Sequence, residues 1–272
     1  MKRRTRAALL LLALVSVAGI AAAHETWLLP SSMRVPVGRP VTLSLTSGMT
    51  FPNDQIKIEP SRVVRAEARL GHTTERLRRP KTTAHALHYV WTPRVAGVAT
   101  IAIELGPRSL ELKPNQVKEY FDEIHAGPDI IALWDSIPAP RRWRESYAKH
   151  ATSYVRVGTP RSDSSWKTPL GLGLEIVPEG NPTAISAGQT LPVRVLLNGS
   201  PLPGFSVGAR IEGRKKSAFV TTDSAGRAAV VLPVKGRWLL FGTHLRRTNE
   251  PNLEWRSDFV TMTTYVAPAG TK

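Results

Sequence analysis

The chain has 272 residues, a formal net charge of +16 and 42% hydrophobic residues. It contains no cysteine, which excludes disulfides, thiolate metal sites, a cysteine nucleophile and a lipoprotein anchor. The basic residues are spread along the sequence without a long block or an interleaved aromatic pattern. We therefore expect no nucleic-acid partner, although so basic a chain would attract anions in general.

Residues 1–23 are typical of a cleaved secretory signal peptide. A basic start is followed by an apolar stretch over residues 7–20 and by three alanines, Ala21 to Ala23, which suit a signal peptidase. The apolar stretch is too short, and its exit too rich in small residues, for a membrane span. The sequence thus predicts a periplasmic or secreted protein that begins at His24 and is not inserted into the membrane after cleavage.

Residues 24 to about 106 are predicted to form mostly β-strands. The segment PVTLSLTSG alternates apolar and polar residues with a period of two, as a half-buried strand does. HALHYVWTP and GVATIAIELG are two further strand candidates, with a plausible turn between them.

Two helices are predicted to follow this β region. In NQVKEYFDEIHAGP the apolar residues recur at helical spacing, Asn115 is placed to cap the start, and Gly127 with Pro128 ends the helix. A second helix is predicted over RRWRESYAKHATSY. The residues of its apolar stripe are Trp143, Tyr147, Ala151 and Tyr154.

The remaining chain predicts a linker and a second β domain. Residues 159–172 are rich in Gly, Pro and Ser, and hairpins are expected at Asn198-Gly199 and at Asp223–Gly226. The predicted fold is mainly β, with two antiparallel β-sandwich domains and a short helical insert between them. The predicted domains are 24–158, with the helices at its end, and 173–272.

His24 is the first candidate for chemistry. If cleavage follows Ala23, its α-amino group and its imidazole can chelate one ion, and a second imidazole would complete a three-nitrogen site. Such a site suits Cu(II) or Ni(II). The alternative is that His24 only marks where the cleavage falls.

His244 is the preferred second ligand, and Glu25 is a nearby acid. His244 follows the predicted strand RWLLFGT, where a strand end opens into a loop. The other histidines have simpler interpretations: His72 in a polar turn, His125 at a helix end, His150 in a packed core, and His85 with His88 on opposite sides of a strand. The alternative for His244 is a structural histidine bonded in that loop.

Enzymatic motifs are absent from the sequence. It contains no G-x-S-x-G, H-E-x-x-H, phosphate-binding loop or G-x-G-x-x-G pattern. We therefore predict no enzymatic activity, no catalytic residues and no organic cofactor.

An ordered series of stretches resembles domain of unknown function 4198, a family that includes periplasmic proteins associated with nickel and cobalt uptake. AHETWLLPSS resembles its opening, RESYAKHATSYVRVG its central helix with Tyr147 and Lys149, and LPVRVLLNGSPLPGFSV, TTDSAGRA and GRWLLFGTHLRR its closing β domain. The final stretch, NLEWRSDFVTMTTYV, departs from the pattern at Arg256, where an acid often follows the Trp. The resemblance implies an immunoglobulin-like or transthyretin-like second domain, and it supports His24, His244 and Glu25 as metal-site residues.

Three hypotheses follow for function. The leading one is a periplasmic protein that binds nickel, cobalt or copper and passes it to a membrane metal transporter. The second is a metal-independent module that binds a peptide, a glycan or a membrane protein. The third is a copper enzyme built on a terminal histidine chelate.

Overall fold

The computed structural model describes residues 24–159 and 163–270, so the predicted signal peptide lies outside the described residues. The chain is mainly β with a short helical insert, which confirms the predicted class. The strands before the insert are β1 Glu25–Pro30, β2 Arg34–Val35, β3 Val41–Gly48, β4 Ile56–Lys57, β5 Val63–Leu70, β6 Thr73–Arg76, β7 Lys81–Thr82, β8 Leu87–Trp91 and β9 Gly97–Leu112. The helices are α1 Pro114–Ile124 and α2 Pro128–Asp135. The later strands are β10 Trp143–Val157, β11 Leu174–Pro178, β12 Gln189–Leu197, β13 Ser200–Pro201, β14 Ser206–Ile211, β15 Ala218–Thr221, β16 Arg227–Leu232, β17 Gly236–Arg247 and β18 Trp255–Val266.

A nine-stranded sheet runs through the middle of the molecule, and we call it the central sheet. Its strand order is β15-β14-β17-β18-β10-β9-β5-β6, with β2 pairing with one end of β10. All its pairings are antiparallel except those of β10 with β18 and with β2. Because β10 precedes the predicted linker and β18 follows it, strands from both halves of the chain share this sheet. The division into domains at 159–172 stays a prediction.

The two smaller sheets pack on opposite faces of the central sheet. Alternation along β10 separates these faces, because neighbouring side chains in a strand point to opposite sides. Ala151 and Val155 join the core formed with the sheet β1-β3-β8-β7, on what we call the front face. Tyr154 joins the core formed with the sheet of β11, β12, β13 and β16, on the back face.

The predicted second helix, over residues 141–154, is wrong: this segment forms strand β10. Trp143, Tyr147 and Ala151 are four residues apart, a spacing that is close to one helical turn and is also a multiple of the strand period of two. All three are buried, and they lie on the front face. Tyr154 breaks the two-residue pattern because the back face is buried as well.

The first predicted helix is confirmed as α1, with a correction at its start. Pro114 occupies the first turn, and the side chain of Gln116 accepts the backbone N–H of Lys113 at 2.9 Å, so Lys113 and not Asn115 precedes the helix. The buried side of α1 packs over Trp143 and neighbouring aromatic side chains on the front face. Helix α2 has no counterpart in the sequence prediction.

The two predicted hairpin turns have different outcomes. At Asn198-Gly199 both residues have positive φ, 50° and 81°, as a tight hairpin turn requires, and β12 pairs with β13 across it. The turn at Asp223–Gly226 is also present, with the Asp223 side chain accepting the N–H groups of Ala225 and Arg227. It joins β15 of the central sheet to β16 of the back sheet, so no hairpin forms there.

The described part of the predicted linker is held against the sheet. Asp163 Oδ2 accepts the Val98 N–H at 2.6 Å, and Trp166 is buried. Arg69 donates to the carbonyl groups of Ser165 and Pro169, each at 3.1 Å. No helix within residues 24–159 and 163–270 is long and apolar enough to cross a membrane.

Candidate functional site

The start of β1 is fixed on the front face of the central sheet. The hydroxyls of Thr261 and Thr263 donate to the carbonyls of Thr26 and Leu28 at 2.5 and 2.7 Å. On β10, the strand next to β18, Lys149 Nζ donates to the carbonyl of His24 at 2.5 Å. The predicted first residue of the processed protein is therefore tied to the interior by a lysine.

Lys149 is a buried cation-forming group. Its side chain is 3% exposed and lies near the rings of Tyr147 and Phe259, at 5.6 and 5.0 Å. Burial, together with the charge of Arg62, lowers its pKa from 10.5 to about 7, although Glu25 and Glu145 act in the opposite direction. The surroundings of this amine therefore disfavour its charged form relative to an amine in water.

Glu145 is a buried carboxyl group on the same face. The hydroxyl of Tyr120 donates to its Oε1 and the indole N–H of Trp143 donates to its Oε2, each at 2.8 Å, and Ser257 also donates to Oε1. Burial raises the pKa of Glu145, although these hydrogen bonds counteract the shift. The three donors come from α1, β10 and β18, so this carboxyl group joins the helical insert to the central sheet.

The Glu25 side chain is engaged in an ion pair. Arg210 Nη2 lies 3.0 Å from Glu25 Oε1, and both side chains are largely buried. Arg210 also lies over the ring of Phe241 at 4.7 Å. An oxygen in such a pair is a poor metal ligand unless the guanidinium moves away.

A small cavity opens beside Glu25 at the end of α1. It encloses about 20 Å³, enough for roughly one water-sized group. Glu123 and His125 line it together with Glu25 and with apolar residues that include Phe219 and Phe241. His125 ends α1 in a left-handed conformation, φ 51°, and its ring lies 4.0 Å from that of Phe219.

At this cavity, the pKa values of Glu123 and His125, at the end of α1, are shifted in opposite directions. Burial, with the charges of Glu119 and Glu25, raises the pKa of Glu123 to about 7. Burial, with the charge of Arg210, lowers the pKa of His125. The lowered pKa favours the neutral imidazole of His125, which is the form that can bind a metal.

His244 lies inside β17 and not at a strand end as expected. It pairs across strands with Asp258, and its ring Nδ1 is 3.5 Å from Arg246 Nη1. Burial, with the charge of Arg246, lowers its pKa. His150 and Tyr154 are four residues apart on β10 and so point to the same side of the central sheet, which is the back face. Asp258 contacts His150, and His244 lies opposite Asp258, so the His244 side chain is also on the back face.

The structure therefore does not bring His24 and His244 together. The His24 carbonyl meets Lys149 on the front face, and the His244 side chain is on the back face. Across residues 24–159 and 163–270, no group of three or more His, Cys, Asp or Glu side chains is arranged to hold a metal. A metal at His24, His244 and Glu25 stays a prediction, and these three do not form one ready-made ligand set.

Sequence reasoning missed the partners of His150. Its Nδ1 lies 3.1 Å from Glu104 Oε1 and its Nε2 lies 3.3 Å from Asp258 Oδ1. Burial lowers the pKa of His150, but the two carboxylates outweigh burial and the net shift is upward. Arg246 completes the cluster by donating to Asp258 Oδ2 at 2.8 Å. Four strands, β9, β10, β17 and β18, supply these groups, and no local sequence motif indicates that they lie close together.

Arg256, where the sequence departs from the family pattern, forms an ion pair at the surface. It pairs with Glu250 at 2.5 Å, and both side chains are partly exposed. Arg256 lies at the start of β18, and this ion pair links it to Glu250 in the loop between β17 and β18.

The model of domain of unknown function DUF4198 matches residues 21–245. The chain belongs to this family. Comparison with curated proteins finds no match.

Solved structures give only remote similarities. Adhesin InvE of Yersinia pseudotuberculosis is 10% identical with a TM-score of 0.22, and the match covers 90% of this chain and 59% of the adhesin. Titin domains A168–A170 are 8% identical with a TM-score of 0.21, covering 89% of this chain and 68% of the titin fragment. The Bacteroides ovatus mixed-linkage glucan protein SGBP-B is 11% identical with a TM-score of 0.20, covering 87% of this chain and 46% of that one.

Proposed function

We propose that this member of DUF4198 is a non-enzymatic binding protein of the cell envelope, which holds nickel, cobalt or copper at its processed N terminus as an accessory to metal uptake. The observation that supports this most is the bond from Lys149 to the carbonyl of His24. It fixes the predicted terminal residue next to the cavity at the end of α1, since the adjoining Glu25 lines that cavity.

The proposed ligands are the α-amino group and the imidazole of His24, with one further imidazole. An α-amino group has a reference pKa near 7.7–8.0, so a metal displaces its proton near neutral pH. His125 is favoured as the further ligand over His244, because it lines the same cavity as Glu25 while His244 is on the back face. Glu123 is the carboxylate that faces this cavity without an ion pair among the described side chains.

Calorimetric titration tests the proposal on protein processed to begin at His24. We expect binding of Ni(II), Co(II) or Cu(II) that is lost in His24→Ala and weakened in His125→Ala. The matched control is His244→Ala, which should bind like the unmodified protein. Equal binding by His24→Ala and the unmodified protein would contradict the site.

A metal-independent binding module is the second candidate, for a peptide, glycan or membrane-protein partner. It is favoured by the Glu25–Arg210 ion pair, which places a guanidinium beside the proposed metal site. The two functions differ in their response to a chelator. Capture of a membrane transporter from envelope extract that EDTA abolishes supports metal delivery, and capture that EDTA leaves unchanged supports the second candidate.

A further inference from the structure

A second site lies at the far edge of the central sheet, remote in sequence from the N-terminal histidine. Where the chain leaves β6 and crosses to β7, a cleft of about 390 Å³ opens between the central sheet and the front sheet. We call it the arginine cleft. Its lining includes four arginines, Arg65, Arg76, Arg78 and Arg79.

Three of these arginines are not engaged by other charged side chains of the described residues. Arg65 pairs with Glu67 at 2.6 Å and also donates to the carbonyl of Leu170. Arg76, Arg78 and Arg79 are exposed and form no ion pair with any described residue. Together they line the cleft with positive charge, which attracts an anionic ligand.

The backbone at this point is strained. Arg79 has φ 54°, in the left-handed region that non-glycine residues rarely adopt, and Pro80 follows it. A residue before proline ordinarily takes an extended conformation. Such strain is retained where the surrounding structure fixes it and is found disproportionately at binding sites. Here it turns the chain directly after the adjacent pair Arg78 and Arg79.

The floor of the arginine cleft is apolar. Leu77 and Tyr89 are buried beneath it, while Val64 is 59% exposed at its edge. The volume lies in the range of small-molecule pockets, which combine an apolar surface with a few polar anchors. Guanidinium groups bind carboxylate and phosphate oxygens in a two-pronged manner.

From these features we infer that the arginine cleft binds a small organic polyanion, with two or more carboxylate or phosphate groups on an apolar body. This site is independent of the proposed metal site. Its ligand is held on Arg76, Arg78 and Arg79 and rests against Val64. Because the arginines are exposed, binding weakens as salt increases.

Calorimetry with two probes, pyrophosphate and tricarballylate, tests this site and distinguishes phosphate from carboxylate ligands. We expect at least one probe to bind at 50 mM NaCl, and the triple variant Arg76→Gln, Arg78→Gln, Arg79→Gln to bind it at least tenfold more weakly. The matched control removes three positive charges from an exposed turn elsewhere, with Arg214→Gln, Lys215→Gln and Lys216→Gln, and should bind like the unmodified protein.

Folding of both variants is checked by circular dichroism and thermal unfolding. A further variant, Val64→Asp, keeps all the arginines and should also lose binding, because it puts a negative charge at the edge of the cleft, where the ligand rests. The inference is overturned if neither probe binds at millimolar concentration, or if the two triple variants weaken binding equally.

Discussion

Burial on the front face changes the properties of Lys149. This lysine is 3% exposed, and its amine donates a hydrogen bond to the His24 carbonyl. Its pKa falls to about 7 because water cannot solvate the charge there. The sequence predicted this position to be helical, and only the fold shows that it anchors the predicted N terminus.

This lowered pKa predicts how stability depends on pH. Between about pH 7 and pH 10.5 the unfolded chain binds a proton that the folded chain does not, so the free energy of unfolding rises with pH in that window. Lys149→Met should remove this contribution, which is on the order of 1 kcal/mol per pH unit at its steepest. Urea unfolding at pH 7, 8 and 9 measures it.

Lys118→Met is the control, since Lys118 is exposed on α1. It should follow the unmodified protein at all three pH values. Parallel pH dependence in Lys149→Met and the unmodified protein would contradict the assignment.

At the scale of elements, helix α1 depends on a carboxyl group at its end. The pKa of Glu123 is raised to about 7 by burial and by Glu119 and Glu25. A raised carboxyl pKa means that the folded state holds a proton which the unfolded state releases. This contribution to stability is full below about pH 4.5 and is lost as the pH rises through 7.

Hydrogen exchange of α1 should report this change. After correction for intrinsic exchange rates, we expect the amides of residues 114–126 to be severalfold less protected at pH 8 than at pH 6. Glu123→Gln should abolish the difference, whereas Glu111→Gln, at an exposed position on β9, should keep it. Equal protection of α1 at the two pH values in the unmodified protein would show that the end of the helix does not respond to this carboxyl group.

Local patterns predicted most elements but not all of them. The alternation in β3 and the helical spacing in α1 each match one period, and both predictions are confirmed. The residues of β10 match two periods at once, because Trp143, Tyr147 and Ala151 are four apart. Burial on both faces removed the polar alternation that would have identified a strand, so the pattern alone could not decide.

At the scale of the molecule, the central sheet joins the two halves of the chain. Tyr154 comes from β10 but is buried in the back core, while Ala151 and Val155 of the same strand are buried in the front core. Removing a large side chain from this strand should therefore affect the sheets on both faces.

Tyr154→Ala tests this coupling. We expect it to lower the free energy of unfolding by about 3–5 kcal/mol, as large-to-small changes in a core do. Hydrogen exchange should then accelerate in both β8 and β12, which lie on opposite sides of the central sheet. Val231→Ala, at a 58% exposed position on β16, should change stability by less than about 0.5 kcal/mol. Faster exchange in β12 alone would show that the halves unfold separately.

The site was less predictable than the fold, because it depends on how distant strands pair across the whole molecule. His24 and His244 were paired in the sequence by their chemistry, and strand alternation then placed His244 on the back face. His125 was assigned to an ordinary helix end, and the packing of α1 brought it together with Glu123 to the cavity beside Glu25. The face that a residue occupies depends on strand pairing between distant segments, and no local sequence motif predicts that pairing.

The central claim is that metal binds through a free amino group on His24. The most direct measurement compares two proteins by Ni(II) and Cu(II) calorimetry: one that begins at His24 with a free amine, and one whose His24 amine is acetylated. The claim predicts that acetylation abolishes detectable binding, because it turns the terminal amine into an amide nitrogen and leaves no second amine to close the chelate. Equal binding by the two proteins would contradict it.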